Sequence, residues 1–214
     1  MRRALARRLR PGHPYILGLT GSIGMGKTTA AKALKRLGVP VFSSDTAVHR
    51  LLAPGGRGVA EVGAAFPAAR EDGAISRPKL AALVFGNPPA LAKLESILHP
   101  LVQAETARFL AEARRSRRPV VVLDIPLLYE IGAENRVHEV VVVTAPESLQ
   151  RARVLSRRGQ TPERLNAILA RQTPDRVKRA RADFIVPTGL SKRDSLRRLA
   201  RIVMLARQRR QDKR

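Results

Sequence analysis

Gly21-Ser22-Ile23-Gly24-Met25-Gly26-Lys27-Thr28 stands between an apolar run, Tyr15-Ile-Leu-Gly-Leu-Thr20, and a helix-forming run, Thr29-Ala-Ala-Lys-Ala-Leu34. A strand, a glycine-rich turn and a helix in this order make a phosphate-binding loop. Backbone N–H groups must turn inward and approach phosphate oxygens closely, in conformations that side chains at Gly21, Gly24 or Gly26 would obstruct. The helix opening at Lys27 adds its positive dipole end. Lys27 is then placed to reach β- and γ-phosphates, and the Thr28 hydroxyl to ligate a bridging Mg²⁺, with Thr29 as a second hydroxyl. A glycine turn that binds nothing would need strand, loop, lysine, hydroxyl and helix to line up by chance. Because this loop serves many nucleotide-using enzymes, it does not identify the acceptor.

The chain's 214 residues suit one α/β domain with a helical insertion, large enough to bury a core without staples. With no cysteine, thiolate metal sites, thiol catalysis and disulfides are excluded, and a reducing, cytoplasmic setting is the expectation. No apolar run is of membrane length. The formal charge is +24, and 33 of the 41 basic residues are arginine. Such a surface attracts polyanions, but aromatics at 3% leave few platforms for stacking bases, so no specific nucleic-acid partner is expected. Residues 1–14 hold five arginines and no acid, and read as a frayed basic extension; residues 206–214 read as a solvated basic tail.

Apolar runs alternate with helical patterns, the mark of parallel β-α units. Candidate strands are Tyr15 to Thr20, Val39 to Ser43, Pro119 to Ile125, Glu139 to Thr144 and Phe184 to Val186. The runs Val120-Val-Val-Leu123 and Val140-Val-Val-Val143 suit interior strands covered on both faces. About 75 residues separate the second and third strands, far more than a crossover needs. They are expected to form a helical substrate-binding lobe, about 46–116, with turns at Gly55-Gly56 and Gly73 and helical patterns at Pro78 to Val84 and Ala90 to Arg115. Two arginine-rich helices, Pro146 to Arg158 and Thr161 to Arg171, with Thr161 as N-cap and Gly159 between them, read either as an exposed charged pair or as a lid over about 147–172. A final helix opens at a Ser191–Asp194 capping box, with Leu196, Leu199, Ile202, Val203 and Leu205 as its inward stripe.

Asp45 lies just past the second strand, where ligands sit in open parallel sheets. There a carboxylate can accept the proton of an attacking hydroxyl; its competing use is as an N-cap. Asp124 ends the third strand after four apolar residues, the pattern of an acid that holds Mg²⁺ directly or through water. Pro126, Leu127 and Leu128 follow, either as an apolar wall for an organic acceptor or as a buried turn. His99 precedes Pro100 and is expected to end its helix and face the cleft or cap it. The four histidines show no metal-ligand spacing.

Together, the loop Gly21–Thr29, Asp45, Leu94-Glu-Ser-Ile-Leu-His-Pro100, Asp124-Ile-Pro-Leu-Leu-Tyr-Glu130, Gln150-Arg-Ala-Arg153 with Arg157, and Gln172 ahead of Ala182-Asp-Phe184 resemble dephospho-coenzyme A kinase. The resemblance spans about residues 15–205 and implies a three-layer P-loop kinase fold with a five-stranded parallel sheet, a helical insertion and a helical lid. It implies transfer of the ATP γ-phosphate to the ribose 3′-hydroxyl of dephospho-coenzyme A. Asp45 would then be the base, Lys27 and Thr28 the phosphate and Mg²⁺ contacts, and Arg157 a lid cation. Arg153 and Gln172 would meet ATP, and His99 with Pro126, Leu127 and Leu128 the acceptor. The chain departs from the family at Ser43-Ser44-Asp45, where D-A-D is usual, at His49, near which an arginine is usual and shifts to Arg50 or is lost, and at Thr188, near which asparagine is usual. Another small P-loop kinase, such as one for shikimate or a nucleoside monophosphate, is the nearest rival. A basic nucleic-acid-binding module is the rival from another class.

Overall fold

A computed structural model describes residues 12–212, so most of the basic N-terminal extension and the last two residues lie outside the described residues. Five strands, β1 (Tyr15–Thr20), β2 (Val41–Ser43), β5 (Val120–Asp124), β6 (Glu139–Thr144) and β7 (Phe184–Pro187), form one parallel sheet in the order β2-β5-β1-β6-β7. In register, Leu19 of β1 is opposite Asp124 of β5 and Val141 of β6, so the loop after β1 and the end of β5 share the sheet's carboxyl edge. The valine runs of β5 and β6 are buried along their length, as interior strands require.

Alternation along the strands sorts side chains onto two faces. On one, Leu17, Leu19, Val122, Val141 and Val143 pack with Ala30, Ala31 and Leu34 of α1 (Lys27–Arg36) and with Leu199, Ile202, Val203 and Ala206 of α9 (Lys192–Gln211). On the other, Gly18 leaves space that Leu128 and Val137 fill; a Cβ there would sit 2.7 Å from Leu128 Cδ1. Helix α8 (Asp175–Arg181), which the sequence reading missed, packs beside β6. Its seven residues include four cations and few apolar groups, so it carries almost no amphipathic signal.

The end of the chain corrects the expected tail. Helix α9 begins at the foreseen Ser191 cap, whose hydroxyl accepts the Asp194 amide at 3.0 Å, but it runs to Gln211. Ala206 has no exposed surface, and Arg210 is buried with its Nε donating to the His13 carbonyl at 3.3 Å. Leu196 is exposed, and Ala206, which a leucine count leaves out, joins the inward stripe.

Residues 43–112 form a second compact unit. It contains α2 (Ser44–Leu52), α3 (Val59–Ala65), a hairpin of β3 (Arg70–Glu71) and β4 (Ala74–Ile75), α4 (Arg77–Val84) and most of α5 (Pro88–Arg115). Its core is Leu52, Val59, Val62, Phe66, Ala69, Ile75, Leu80, Leu94 and Leu98. The hairpin turn is Asp72-Gly73, both with positive φ, a two-residue turn whose sequence signal is strong once the flanking strands are allowed to be two residues long. Pro100 does not end its helix, contrary to expectation: α5 passes through it for 28 residues. Proline there forfeits one backbone bond, while Leu94 and Leu98 on the preceding turns are anchored in the core.

Candidate active site

The loop that follows β1 has the backbone its glycines predict. Gly24 and Gly26 adopt φ of +77° and +88°, a region in which side chains are strained. Space is also closed: a Cβ on Gly24 would lie 2.9 Å from the Gln150 carbonyl, and one on Gly26 2.9 Å from Thr188 Oγ1. Gly26 is the N-cap of α1, so the helix dipole opens at Lys27. Thr28 and Thr29 are exposed in its first turn.

Lys27 Nζ lies 2.8 Å from Asp124 Oδ1, joining the loop to the end of β5. Asp124 is buried, with 4% of its surface exposed, so a paired cation matters to it more than to a surface acid.

Other expected loop contacts turn inward. The Ile23 amide donates to Gln172 Oε1 at 3.1 Å, and its carbonyl accepts from Gln150 Nε2 at 2.7 Å. The Met25 amide donates to the Ser22 carbonyl, and its buried thioether accepts the Ala145 amide. Ile23 and Met25, expected among the groups that face phosphate, therefore spend these amides bracing the loop. Gln172, expected to meet ATP, is engaged with the loop itself. Arg153 is engaged in the same way: Nη1 donates to Thr188 Oγ1 at 3.1 Å and reaches the Gly24 carbonyl at 3.4 Å, while Nη2 donates to the Thr188 carbonyl at 2.8 Å. Thr188 Oγ1 in turn donates to the Met25 carbonyl at 2.8 Å.

Of these braces, Gln150 and Arg153 lie on α6 (Glu147–Leu155), which forms a helical hairpin with α7 (Pro162–Ala170), and Gln172 lies just past the end of α7. Thr161 caps α7 by accepting the Arg164 amide, as foreseen. Arg157 lies exposed in the turn between the two helices, where Gly159 has φ +76°.

The acceptor wall needs correction. Leu127 is exposed and Pro126 is half-buried, its carbonyl accepting from Thr20 Oγ1 at 2.9 Å. Leu128 has no exposed surface and packs under β1, which makes it core. Glu130, quoted in the resemblance but given no role, takes the Thr173 amide on Oε1 at 2.7 Å and pairs with Lys178 Nζ at 2.9 Å. Burial pushes its carboxyl up, but the Lys178 ammonium and the amides of Glu130 and Thr173 outweigh that and hold it below the ordinary carboxylate range. A lone lysine in a short charged stretch gives no hint in sequence that it is fully buried.

Asp45 and His99 belong to the second unit. Asp45 is exposed in the first turn of α2. It is not the N-cap: Ser43 is, its hydroxyl accepting the Thr46 amide at 3.3 Å, so the residue standing where the family has its first acid has a helix-capping role. His99 is exposed on α5, and Arg50 pairs with Glu105 at 3.6 Å.

A family model described as dephospho-CoA kinase matches residues 15–192 of this chain. The chain belongs to the dephospho-CoA kinase family. Within this family, a dephospho-CoA kinase of Brucella melitensis is 52% identical over 188 residues, covering 88% of this chain and 93% of the relative. A crystal structure of a Thermus thermophilus protein, TT1252, shares the fold with TM-score 0.80 and 35% identity, over 90% of this chain and 97% of that one. The dephospho-CoA kinase of Campylobacter jejuni, at TM-score 0.61 and 24% identity over the same shares, supports the fold alone. The family's fold is thus a P-loop kinase α/β fold with a five-stranded parallel sheet. Among the described residues, no helix is long and apolar enough to cross a membrane.

Proposed function

We propose that this chain catalyses ATP-dependent phosphorylation of the 3′-hydroxyl of dephospho-coenzyme A, the final step of coenzyme A synthesis, in the cytoplasm. The observation that carries the reading is the family match over residues 15–192, which takes in the nucleotide loop and the Asp124–Glu130 segment together. In this reading the loop and the α1 N-terminus hold the ATP phosphates, Lys27 neutralises charge between them, and Arg157 contributes a cation from the hairpin turn. Asp45 accepts the 3′-hydroxyl proton as that oxygen attacks the γ-phosphorus; the bond to the β-γ bridging oxygen breaks and ADP leaves. Leu127, Pro126 and His99 are proposed acceptor contacts.

The donors at the carboxyl edge fit Mg²⁺: the Thr28 hydroxyl and the Asp124 carboxylate are both hard oxygen ligands, and an ion shared with nucleotide phosphates needs only one or two from protein. When bound, Mg²⁺ supplies charge neutralisation on the transferring phosphoryl group. The 33 arginines suit two polyanionic substrates and imply no specific nucleic-acid partner.

An ADP-release assay with purified protein tests this, comparing dephospho-coenzyme A with adenosine, AMP and shikimate. Turnover of dephospho-coenzyme A alone is expected; none at all sinks the assignment. Asp45→Ala is expected to slow turnover about 10²–10⁴-fold, and an unchanged rate removes Asp45 as base.

A further inference from the structure

Side chains from the first helix of the α6–α7 hairpin and from the linker just after its second helix meet the phosphate loop at the same residue, Ile23. Gln150 on α6 takes the Ile23 carbonyl, and Gln172, two residues past α7, takes the Ile23 amide. The two grips differ in support. Gln150 is 4% exposed and fixed within a helix, whereas Gln172 sits in the short linker, residues 171–174, ahead of α8. A side chain on a linker is held only as well as the linker's own backbone.

Glu130 supplies that hold. Its Oε1 accepts the amide of Thr173, the next residue after Gln172, and the same oxygen pairs with Lys178, which has no exposed surface. The helix that carries Lys178 is tied down further: Thr144 Oγ1 donates to Asp175 Oδ2 at 2.8 Å, and Arg181 pairs with Glu134 and lies 4.5 Å over the Tyr129 ring. An exposed pair would tolerate loosening, but a buried cation fixes where its partner carboxylate can stand.

We propose that Glu130 is a positioning residue for nucleotide binding: its carboxylate fixes the 171–174 linker so that Gln172 holds the Ile23 amide and, through it, the phosphate loop. The proposal rests on the kinase reading, in which this loop holds ATP, but nucleotide affinity can be measured without turnover.

Removing Glu130 alone would strand Lys178, so the variants are made with Lys178→Met. Glu130→Gln keeps an acceptor for the Thr173 amide; Glu130→Leu does not. Calorimetric titration of the full chain with ADP and Mg²⁺ should show about tenfold weaker binding for Glu130→Leu/Lys178→Met, the loss of one well-placed hydrogen bond, and little change for Glu130→Gln/Lys178→Met. Gln172→Ala should cost about as much, and adding it to the leucine pair should cost nothing more, because both changes remove one grip. Additive losses in the triple variant, equal losses in the glutamine and leucine pairs, or full affinity in the leucine pair each overturn the proposal. Where circular dichroism shows the leucine pair unfolded, Glu130→Asp replaces it in the same cycle, withdrawing the carboxylate from Thr173 while keeping charge opposite Lys178. A chain that binds ADP but leaves dephospho-coenzyme A unphosphorylated sinks the kinase reading and not this one.

Discussion

The loop of residues 21–28 and the segment of residues 124–130 lie at the same edge of the sheet but are built in opposite ways. In the loop, main chain does the work, and side chains from elsewhere, Gln150, Gln172, Arg153 and Thr188, hold that main chain in place. In the segment, side chains do the work, and they divide between uses along the chain: Asp124 faces Lys27, Leu127 faces solvent, Leu128 enters the core and Glu130 anchors the linker before α8. A backbone site thus depends on distant side chains to hold it and on glycines where a Cβ has no room. A side-chain site depends on the residues of its own segment.

The largest test of that contrast is Lys27→Ala, which removes the loop's one charged side chain. Turnover is expected to fall about 10³-fold, as for other groups that stabilise charge in the transition state. A loss under tenfold would mean that the main-chain cradle suffices and the Lys27–Asp124 pair is structural.

Next come the two leucines that stand side by side in sequence. Leu128→Ala should cost about 2–5 kcal/mol of stability, read from denaturant midpoints, with the KM for dephospho-coenzyme A unchanged in the folded fraction. Leu127→Ala should leave stability within about 0.5 kcal/mol and raise that KM with kcat preserved. If Leu128→Ala raises KM without loss of stability, Leu128 returns to the wall.

These two positions also show where sequence ran out. The sheet was legible because β-branched runs can be buried on both faces only in a parallel interior, and the loop because its glycines have no cheaper explanation. A leucine at a strand end suits a wall and a core equally, and Gly18 opposite, which makes room for Leu128, is too far away in sequence to settle it. The braces were illegible for a related reason. Gln172 and Arg153 have the chemistry to bind phosphate, and only the fold shows that backbone groups of the loop already engage them. Pro100 misled because the rule it obeys concerns one hydrogen bond, while α5 is held by the core it helps to form.

Acid should separate the regions more gently. Glu130 has a folded-state pKa below its ordinary 4.5, so its contribution to stability is complete above about pH 4.5 and is lost as pH falls from there through the lowered value. Stability of the parent chain, measured by urea midpoints from pH 6 downward, should decline in that window more steeply than that of Glu130→Gln/Lys178→Met. Parallel curves would show that the Glu130–Lys178 pair does not set the acid limit.

The smallest effect should come from Thr188→Val, which keeps shape and removes a hydroxyl. That hydroxyl donates to the Met25 carbonyl and accepts from Arg153, whereas Arg153 keeps its second bond to the Thr188 carbonyl. The expected loss is about 1 kcal/mol of stability, the net worth of an ordinary hydrogen bond. Because the lost partner belongs to the loop's main chain, the same change should weaken ATP binding a fewfold and leave the KM for dephospho-coenzyme A alone. An equal rise in both KM values would show that Thr188 supports the fold at large and not the loop.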